Sequence, residues 1–182
     1  VSRRILKSMK RGGNSDSLTQ LLDHVRRLVP SITLRTSMIV GYPGETEEEF
    51  SELCNFVKKI QFDRLGTFTF SDEKEAGTYE LEGKIKEILI EKRRKCLMKI
   101  QAKISKTKNR QEIGKQHVIL IEGRSAESDL LLQGRLESHA PRIDGVVLIN
   151  DIEGISPQSG EFGTVEITEA MEYDLVGRLV LT

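Results

Sequence analysis

One stretch of the sequence decides the fold: Leu34-Arg35-Thr36-Ser37-Met38-Ile39-Val40-Gly41-Tyr42-Pro43-Gly44-Glu45-Thr46. Its apolar first part predicts a buried strand from Ile32 to Val40, and the two glycines around Pro43 predict a tight turn. Thr46 and Glu49 have the spacing of a capping box, so a helix should start directly after the turn. In an α/β barrel, such a junction lies on the face where strand ends and their loops carry the chemistry.

The flanking segments extend this junction into a repeating pattern of helices and strands. Asn14 or Ser15 can cap a preceding helix over Asp16 to Leu28, and Pro30 ends it because proline cannot continue a helix. A second strand is predicted over Leu65 to Phe70. Strand, helix, strand order at this spacing is typical of a parallel βαβ unit. The first part of the chain is therefore predicted to be α/β.

A long, basic, amphipathic helix is predicted from Ile85 to about Lys108. Its apolar side would carry Ile85, Ile88, Leu89, Cys96, Leu97, Ile100 and Ile104. Cys54 and Cys96 both fall at apolar helical positions, and their separation fits no metal-ligand spacing, so both are interpreted as core residues. A structural zinc site or a disulfide framework is not expected.

After about residue 110 the pattern changes to short β-type runs separated by Gly, Ser, Asp and Pro. The runs are Val118 to Ile121, Leu130 to Leu132, Val146 to Ile149, Val165 to Ile167 and Leu175 to Leu181. Five such strands in so short a segment predict a small closed barrel of the oligonucleotide-binding kind. The fold class is therefore α/β followed by all-β.

The neutral total charge hides two oppositely charged halves. Residues 1–110 contain 23 Lys and Arg against 15 Asp and Glu, a balance of +8, and residues 111–182 contain 5 against 13, a balance of −8. This asymmetry predicts a domain boundary near residue 110 and different partners for the two halves. No apolar run approaches the roughly 20 residues that span a bilayer, and no signal-peptide pattern is present, so a cytoplasmic protein is expected.

Several blocks of this sequence resemble the methylthiotransferase branch of the radical S-adenosylmethionine enzymes. Ile39 to Thr46 resembles the IVGFPGET block of that family, with Tyr42 in place of Phe. The other similar blocks are Arg4 to Arg11, Phe62 to Ser71, Glu91 to Arg94, Leu97-Met98 and Gln101. The resemblance spans nearly the whole chain.

The resemblance implies that residues 1–110 are the C-terminal portion of a TIM-like radical S-adenosylmethionine barrel and residues 111–182 a TRAM domain, which is a small OB-like barrel. Family members hold two [4Fe-4S] clusters, for which this fragment lacks the cysteines. No catalytic residue or metal ligand is expected here, and the fragment alone should be inactive. By resemblance, S-adenosylmethionine is expected along Arg35, Ser37, Gly41, Tyr42 and Gly44.

Within this family the substrate is either a tRNA adenosine or an aspartate of small-subunit ribosomal protein S-twelve. Ala140 to Val147 and Glu172 to Gly177 look like the ribosomal-protein branch, although His139 and Arg142 stand where that branch usually has Asp and Glu. A barrel of charge −8 would repel RNA phosphates and attract a basic ribosomal protein. The expected substrate-binding residues are Asp144, Glu166, Glu169, Glu172 and Asp174.

Other interpretations stay open at this point. A tRNA methylthiotransferase is one alternative, and a non-enzymatic adaptor that keeps the TRAM domain beside a barrel remnant is another. A CxxxCxxC motif upstream of Val1 would establish the enzyme. The basic helix from Lys84 to Arg110 is either a solvated face, which is the commoner case, or a contact with ribosomal RNA. The expected partner of the small barrel is the ribosomal protein or small subunit, with nucleic acid not its main partner.

Overall fold

The computed structural model describes residues 1–72, 81–126, 128, 130–152, 154 and 157–180. The chain divides into two compact units, Val1–Ile104 and Ser105–Thr182. None of the helices in the described ranges is long and apolar enough to cross a membrane.

The first unit is built around a parallel pair of strands. Its elements are α1 (Arg3–Ser8), α2 (Ser15–Leu28), β1 (Arg35–Val40), α3 (Glu47–Ile60), β2 (Arg64–Thr69) and the first part of α4 (Glu87–Arg110). β1 and β2 pair in parallel, in register from Arg35 opposite Arg64 to Val40 opposite Thr69. The predicted βαβ unit is confirmed.

The predicted helix caps are confirmed as well. The Asn14 side chain accepts a hydrogen bond from the Ser17 N–H at the start of α2. Thr46 and Glu49 form the reciprocal capping box that starts α3. Each box satisfies backbone groups that the first helical turn leaves without an intrahelical partner.

The prediction of a wholly buried strand from Ile32 to Val40 was wrong. The strand begins at Arg35, and Arg35, Ser37 and Ile39 are exposed on one face. The other face contributes Val40 to the core that α3 dominates. Met38 packs against the same core, whereas Ile39 is exposed although it is apolar, so among the described residues only one side of the sheet is covered.

The predicted apolar side of α4 was right in part: Leu97 is fully buried, and Ile100 and Ile104 pack against the core. Other predicted members are exposed. Ile88 is 86% exposed and Cys96 is exposed. The buried positions recur every four residues and are Arg93, Leu97, Gln101, Ser105 and Asn109. Four of these side chains are polar, and burial is possible because they find hydrogen-bond partners: Gln101 Nε2, for instance, donates to the Phe62 carbonyl at 2.9 Å.

The second unit contains the predicted five-stranded closed barrel. Its strands are β3 (Gln116–Arg124), β4 (Leu132–Leu136), β5 (Val147–Asp151), β6 (Phe162–Ala170) and β7 (Leu175–Val180). They close in the order β3-β4-β5-β7-β6. β5 and β7 are parallel, and all the remaining neighbouring pairs are antiparallel.

The second strand of this barrel lies further along the chain than predicted. It covers Leu132–Leu136 rather than Leu130 to Leu132, and Leu130 is 92% exposed. Gly134 and Leu136 face inward and alternate with the less buried Gln133 and Arg135, a period-two pattern that the short apolar run obscured. The predicted end of the last strand, Leu181, falls outside the described residues.

Candidate functional site

The turn after β1 depends on glycine at Gly41. Its φ is +83°, and a Cβ there would lie 2.6 Å from Cγ1 of Ile90 on α4. A side chain at this position is therefore excluded by backbone conformation and by packing within the protein. Gly44, at the other end of the turn, also has a positive φ of +74°.

A buried ion pair fixes the turn from inside. Arg93 Nη1 lies 2.7 Å from Glu45 Oε1, and the two side chains are 5% and 4% exposed. Glu45 Oε2 accepts a hydrogen bond from the Gly41 N–H at 3.0 Å. The Arg93 guanidinium also contacts Glu47 and lies 5.3 Å from the centre of the Phe50 ring. Burial raises the pKa of Glu45 above its usual range, while Arg93 and the Gly41 N–H oppose that shift.

A second set of contacts fixes the turn from outside. Arg4 Nη2 donates to the Gly44 carbonyl at 2.7 Å, and the Gly44 N–H donates to the Gly83 carbonyl at 2.8 Å. The same guanidinium binds both carboxylate oxygens of Glu49. Glu49 also accepts from the Ser2 hydroxyl at 2.7 Å. The turn is thus attached to α1, α3 and the segment before α4.

We predict that Glu49 titrates far below an ordinary glutamate. Hydrogen bonding to Arg4 lowers its pKa to about 2, against the smaller opposing effect of burial. A depressed carboxylate pKa adds stability that is complete above about pH 4.5 and is lost as the pH falls toward 2. Because the Arg4 side chain is 57% exposed, we expect a contribution of only about 1 kcal/mol.

Carboxyl chemical shifts of Glu49 against pH measure this directly. In Glu49→Gln the capping box is retained, since glutamine can also fill that position. The contribution of Glu49 to the pH dependence of the unfolding free energy should disappear. Glu52→Gln on the same helix reports the effect of losing one negative charge alone. A Glu49 midpoint near 4.5 would contradict the prediction.

A groove of about 370 Å³ runs along β1, α1 and α2. It brings together three of the five residues expected at the cofactor, namely Arg35, Ser37 and Tyr42. Gly41 and Gly44 are not among the lining residues that the structure describes. Tyr42 is itself buried, with its hydroxyl 2.8 Å from Ser8 Oγ and its ring against Phe70. Arg35 and Ser37 are thus the exposed polar side chains of this set.

The cysteines do not fit an iron-sulfur cluster. Cys54 is buried in α3, where burial and then the neighbouring Cys96 thiol raise its pKa to about 11. The chain has only two cysteines, which is fewer than the three or four thiolates that hold such a cluster. Among the described residues, no three His, Cys, Asp or Glu side chains are grouped as a metal site would require.

The five acidic residues expected to bind substrate have different roles in the barrel unit. Asp144 Oδ2 accepts from the Ala140 N–H at 2.7 Å, and Asp174 Oδ1 accepts from the Val146 N–H at 2.8 Å. Glu166 pairs with Arg178 at 3.2 Å. Glu169 and Glu172 are exposed. The two aspartates thus hold the loop before β5, and the two glutamates remain open to a partner.

Sequence reasoning missed the residues that hold these loops. Arg4, Glu45 and Arg93 gave no local signal, because their partners lie 40 or more positions away in the chain. Gly145 was missed as well: a Cβ there would lie 2.1 Å from the Tyr173 carbonyl oxygen. Gly145 therefore permits the close approach of the two segments that carried the resemblance in this unit.

Comparison with known proteins identifies the family. Residues 113–180 match the TRAM domain family. The ribosomal protein uS12 methylthiotransferase RimO of Solibacter usitatus is 48% identical over 180 residues, covering 99% of this chain and 39% of that protein. The proteins of the same name from Koribacter versatilis and Myxococcus xanthus are 49% and 48% identical, over 97% and 99% of this chain.

The chain belongs to the uS12 methylthiotransferase family. It spans between 35% and 39% of the length of these three relatives. The similarity covers both the βαβ unit and the TRAM barrel, since nearly every residue of the chain is aligned.

Proposed function

We propose that this chain is the C-terminal part of an enzyme that adds a methylthio group to an aspartate of ribosomal protein uS12, by radical S-adenosylmethionine chemistry. Similarity to enzymes named for uS12 along 97% to 99% of the chain carries the proposal. Residues 1–110 then form the C-terminal portion of the radical S-adenosylmethionine core, and residues 111–182 form the TRAM domain. On this proposal the enzyme is cytoplasmic.

The parallel strand pair supports the barrel part of the proposal. β1 and β2 form a two-stranded parallel sheet, and parallel sheets occur almost only where both faces are covered. One face carries α3, and the other presents Arg35, Ser37 and Ile39. In a TIM-like barrel this second face would line the interior, and the relatives are long enough to supply the remaining strands.

The residues present fit a role in binding S-adenosylmethionine but not in binding its cluster. Arg35 and Ser37 would hold polar groups of the cofactor from the strand, while Gly41, Tyr42 and Gly44 would shape the turn beside it. When bound next to a [4Fe-4S] cluster, S-adenosylmethionine supplies the radical that activates the substrate. Two cysteines cannot ligate even one such cluster, so the ligands for both clusters belong to other parts of the protein. The fragment alone would then be inactive.

The charge of the barrel unit supports a basic protein substrate. Its excess of acid would attract the basic uS12 protein or the small ribosomal subunit and repel RNA phosphates. Glu169 and Glu172 are the exposed members of the expected set, so they would contact the substrate directly. Asp144, Glu166 and Asp174 would act by maintaining the loop and strand that present them.

We expect Glu169→Lys with Glu172→Lys to slow association of the full-length protein with uS12 by about tenfold at low salt, because rim charges act chiefly on encounter rate. Association of the parent should itself slow as salt is added, since screening shortens the range of these charges. Stopped-flow fluorescence with labelled uS12 measures both effects. Glu137→Lys with Glu161→Lys changes the net charge equally at exposed sites outside the expected set and serves as the matched control.

Two results would move the assignment to an alternative. If the full-length protein binds tRNA more tightly than uS12 in direct competition at physiological salt, the substrate is a tRNA adenosine. If the reading frame upstream of Val1 lacks a CxxxCxxC motif, the chain is a non-enzymatic adaptor with a TRAM domain. Mass spectrometry of uS12 after incubation with the anaerobically reconstituted full-length protein gives the decisive product, a methylthiolated aspartate.

A further inference from the structure

Two loops meet at one end of the barrel. We name as the paired loops residues 140–146, which lead into β5, and residues 171–174, which join β6 to β7. The Val146 N–H donates to Asp174 Oδ1 at 2.8 Å, and the Leu175 N–H donates to the Val146 carbonyl at 3.0 Å. The parallel strands that follow the two loops, β5 and β7, begin in register. The paired loops therefore form one joined surface.

Hydrogen bonds within the second unit fix both of the paired loops. Asp144 Oδ2 accepts from the Ala140 N–H at 2.7 Å, which closes the first loop on itself. In the second loop the Met171 N–H donates to the Asp174 carbonyl at 2.9 Å. The Asn109 side-chain amide donates to the Met171 carbonyl at 3.3 Å. The loops thus have a defined conformation before a partner binds, which lowers the entropic cost of binding.

These fixed loops expose apolar side chains. Ile143 is 77% exposed, Met171 is 46% exposed and Tyr173 is 40% exposed. A single exposed apolar residue is ordinary, but three on two joined loops bring apolar area to the same end of the barrel. Tyrosine and methionine are also enriched where proteins bind other proteins. The paired loops have the composition of a protein-binding surface.

Acidic side chains accompany these apolar residues. Residues 140–146 and 169–174 contain four Asp and Glu and one Arg, a balance of −3. Glu169 and Glu172 are exposed. Burial and then the Glu172 carboxylate raise the pKa of Tyr173, so this carboxylate acts on the phenol directly. An apolar centre with an acidic rim complements a basic protein.

We propose that the paired loops are the docking surface for uS12, where Ile143, Met171 and Tyr173 pack against apolar side chains of that protein. Glu169 and Glu172 pair with its lysines or arginines. This inference rests on the proposed function and specifies the place of contact on the barrel unit. A lysine or arginine side chain can lie across the ring of Tyr173 and still reach Glu172. The phosphate backbone of an RNA would be repelled by both glutamates.

The test is binding of labelled uS12 to the full-length protein, followed by stopped-flow fluorescence. Ile143→Ser with Tyr173→Ser should weaken the affinity by about tenfold or more. The loss should lie chiefly in faster dissociation, with the association rate within about twofold of the parent, because most interface substitutions act on the lifetime of a complex. It should persist at high salt, unlike the effect of Glu169→Lys with Glu172→Lys, since screening does not weaken apolar contacts.

The matched control is Val118→Ser with Phe162→Ser, which also removes one exposed aliphatic and one exposed aromatic side chain. Phe162 is the first residue of β6, eight residues or about 25 Å from the end of the strand that enters the paired loops. This control should leave the affinity for uS12 unchanged. A thermal melt detects any loss of fold, and Ile143→Ser by itself, at the more exposed position, should still give part of the effect.

The possible outcomes separate this inference from the proposed function. If the parent binds uS12 and the two double variants have equal affinity for it, the docking surface is wrong and uS12 remains the substrate. If the parent does not bind uS12, the proposed substrate is wrong and the docking surface with it. If Ile143→Ser with Tyr173→Ser weakens binding of tRNA and not of uS12, the paired loops contact nucleic acid, which also overturns the proposal.

Discussion

Arg93→Met should destabilise the first unit by about 3–5 kcal/mol, because removing one partner of a buried ion pair leaves the other charge uncompensated. Glu45 would keep its hydrogen bond from the Gly41 N–H but lose the 2.7 Å contact to Arg93. Methionine fills much of the space of the arginine stem, so the expected loss is chiefly electrostatic. Urea denaturation of the chain followed by circular dichroism measures it.

The matched control is Arg94→Met, one residue further along α4. Its ion pair with Glu91 lies at the surface, so its loss should change stability little. Adding Glu45→Met to Arg93→Met should recover part of the stability, since apolar pairs often replace buried ion pairs without loss, while the Gly41 N–H loses its acceptor. Equal effects of Arg93→Met and Arg94→Met would show that the buried pair contributes nothing special.

Gly145→Ala should destabilise the barrel unit by about 3 kcal/mol, at the upper end of what overpacking costs. The new Cβ would lie 2.1 Å from the Tyr173 carbonyl oxygen and 2.7 Å from Asp174 Oδ1. These atoms cannot withdraw freely, because Asp174 is hydrogen-bonded to the Val146 N–H through its side chain and to the Met171 N–H through its carbonyl. Thermal unfolding of the barrel unit in the full chain measures the loss.

Gly163→Ala in β6 is the control for this substitution. The nearest atom to its added Cβ is Leu179 Cδ2 at 3.5 Å, an ordinary van der Waals contact. Alanine is no worse than glycine in a strand, so stability should be retained or slightly improved. A Gly145→Ala protein as stable as Gly163→Ala would mean that the loop before β5 can shift away from Tyr173 without penalty.

Local signals accounted for the elements that were predicted correctly. The capping residues Asn14, Thr46 and Glu49 act over three positions, and the apolar residues of the barrel strands lie close together in sequence. The polar residues on the buried side of α4 were not predictable in this way. Arg93 is buried because of Glu45, 48 positions away, so its environment depends on a contact that only the folded chain creates.

The residues of the candidate site also differ in whether local sequence could predict them. Arg35 and Ser37 could be placed in a strand and Tyr42 in the turn that follows, but the exposed face was not predicted, because three consecutive apolar residues, 38–40, indicated a buried strand. The need for Gly145 could not be predicted, because it arises where two loops approach each other. A hydrogen bond between Val146 and Asp174, which are 28 residues apart in sequence, joins these loops. Cys96 was misplaced because a cysteine beside apolar neighbours is usually a core residue.

The two units differ in whether their strands have open edges, and this gives them opposite behaviour in concentrated solution. The barrel strands of the second unit close on themselves, so each has both neighbours satisfied. β1 and β2 each pair on one side only among the described strands, and Ile39 and Phe68, which are in register, are 41% and 59% exposed. Unpaired edges beside exposed apolar side chains are templates for self-association. Aggregation of this chain, when produced by itself, should therefore begin at the βαβ unit and leave the barrel folded.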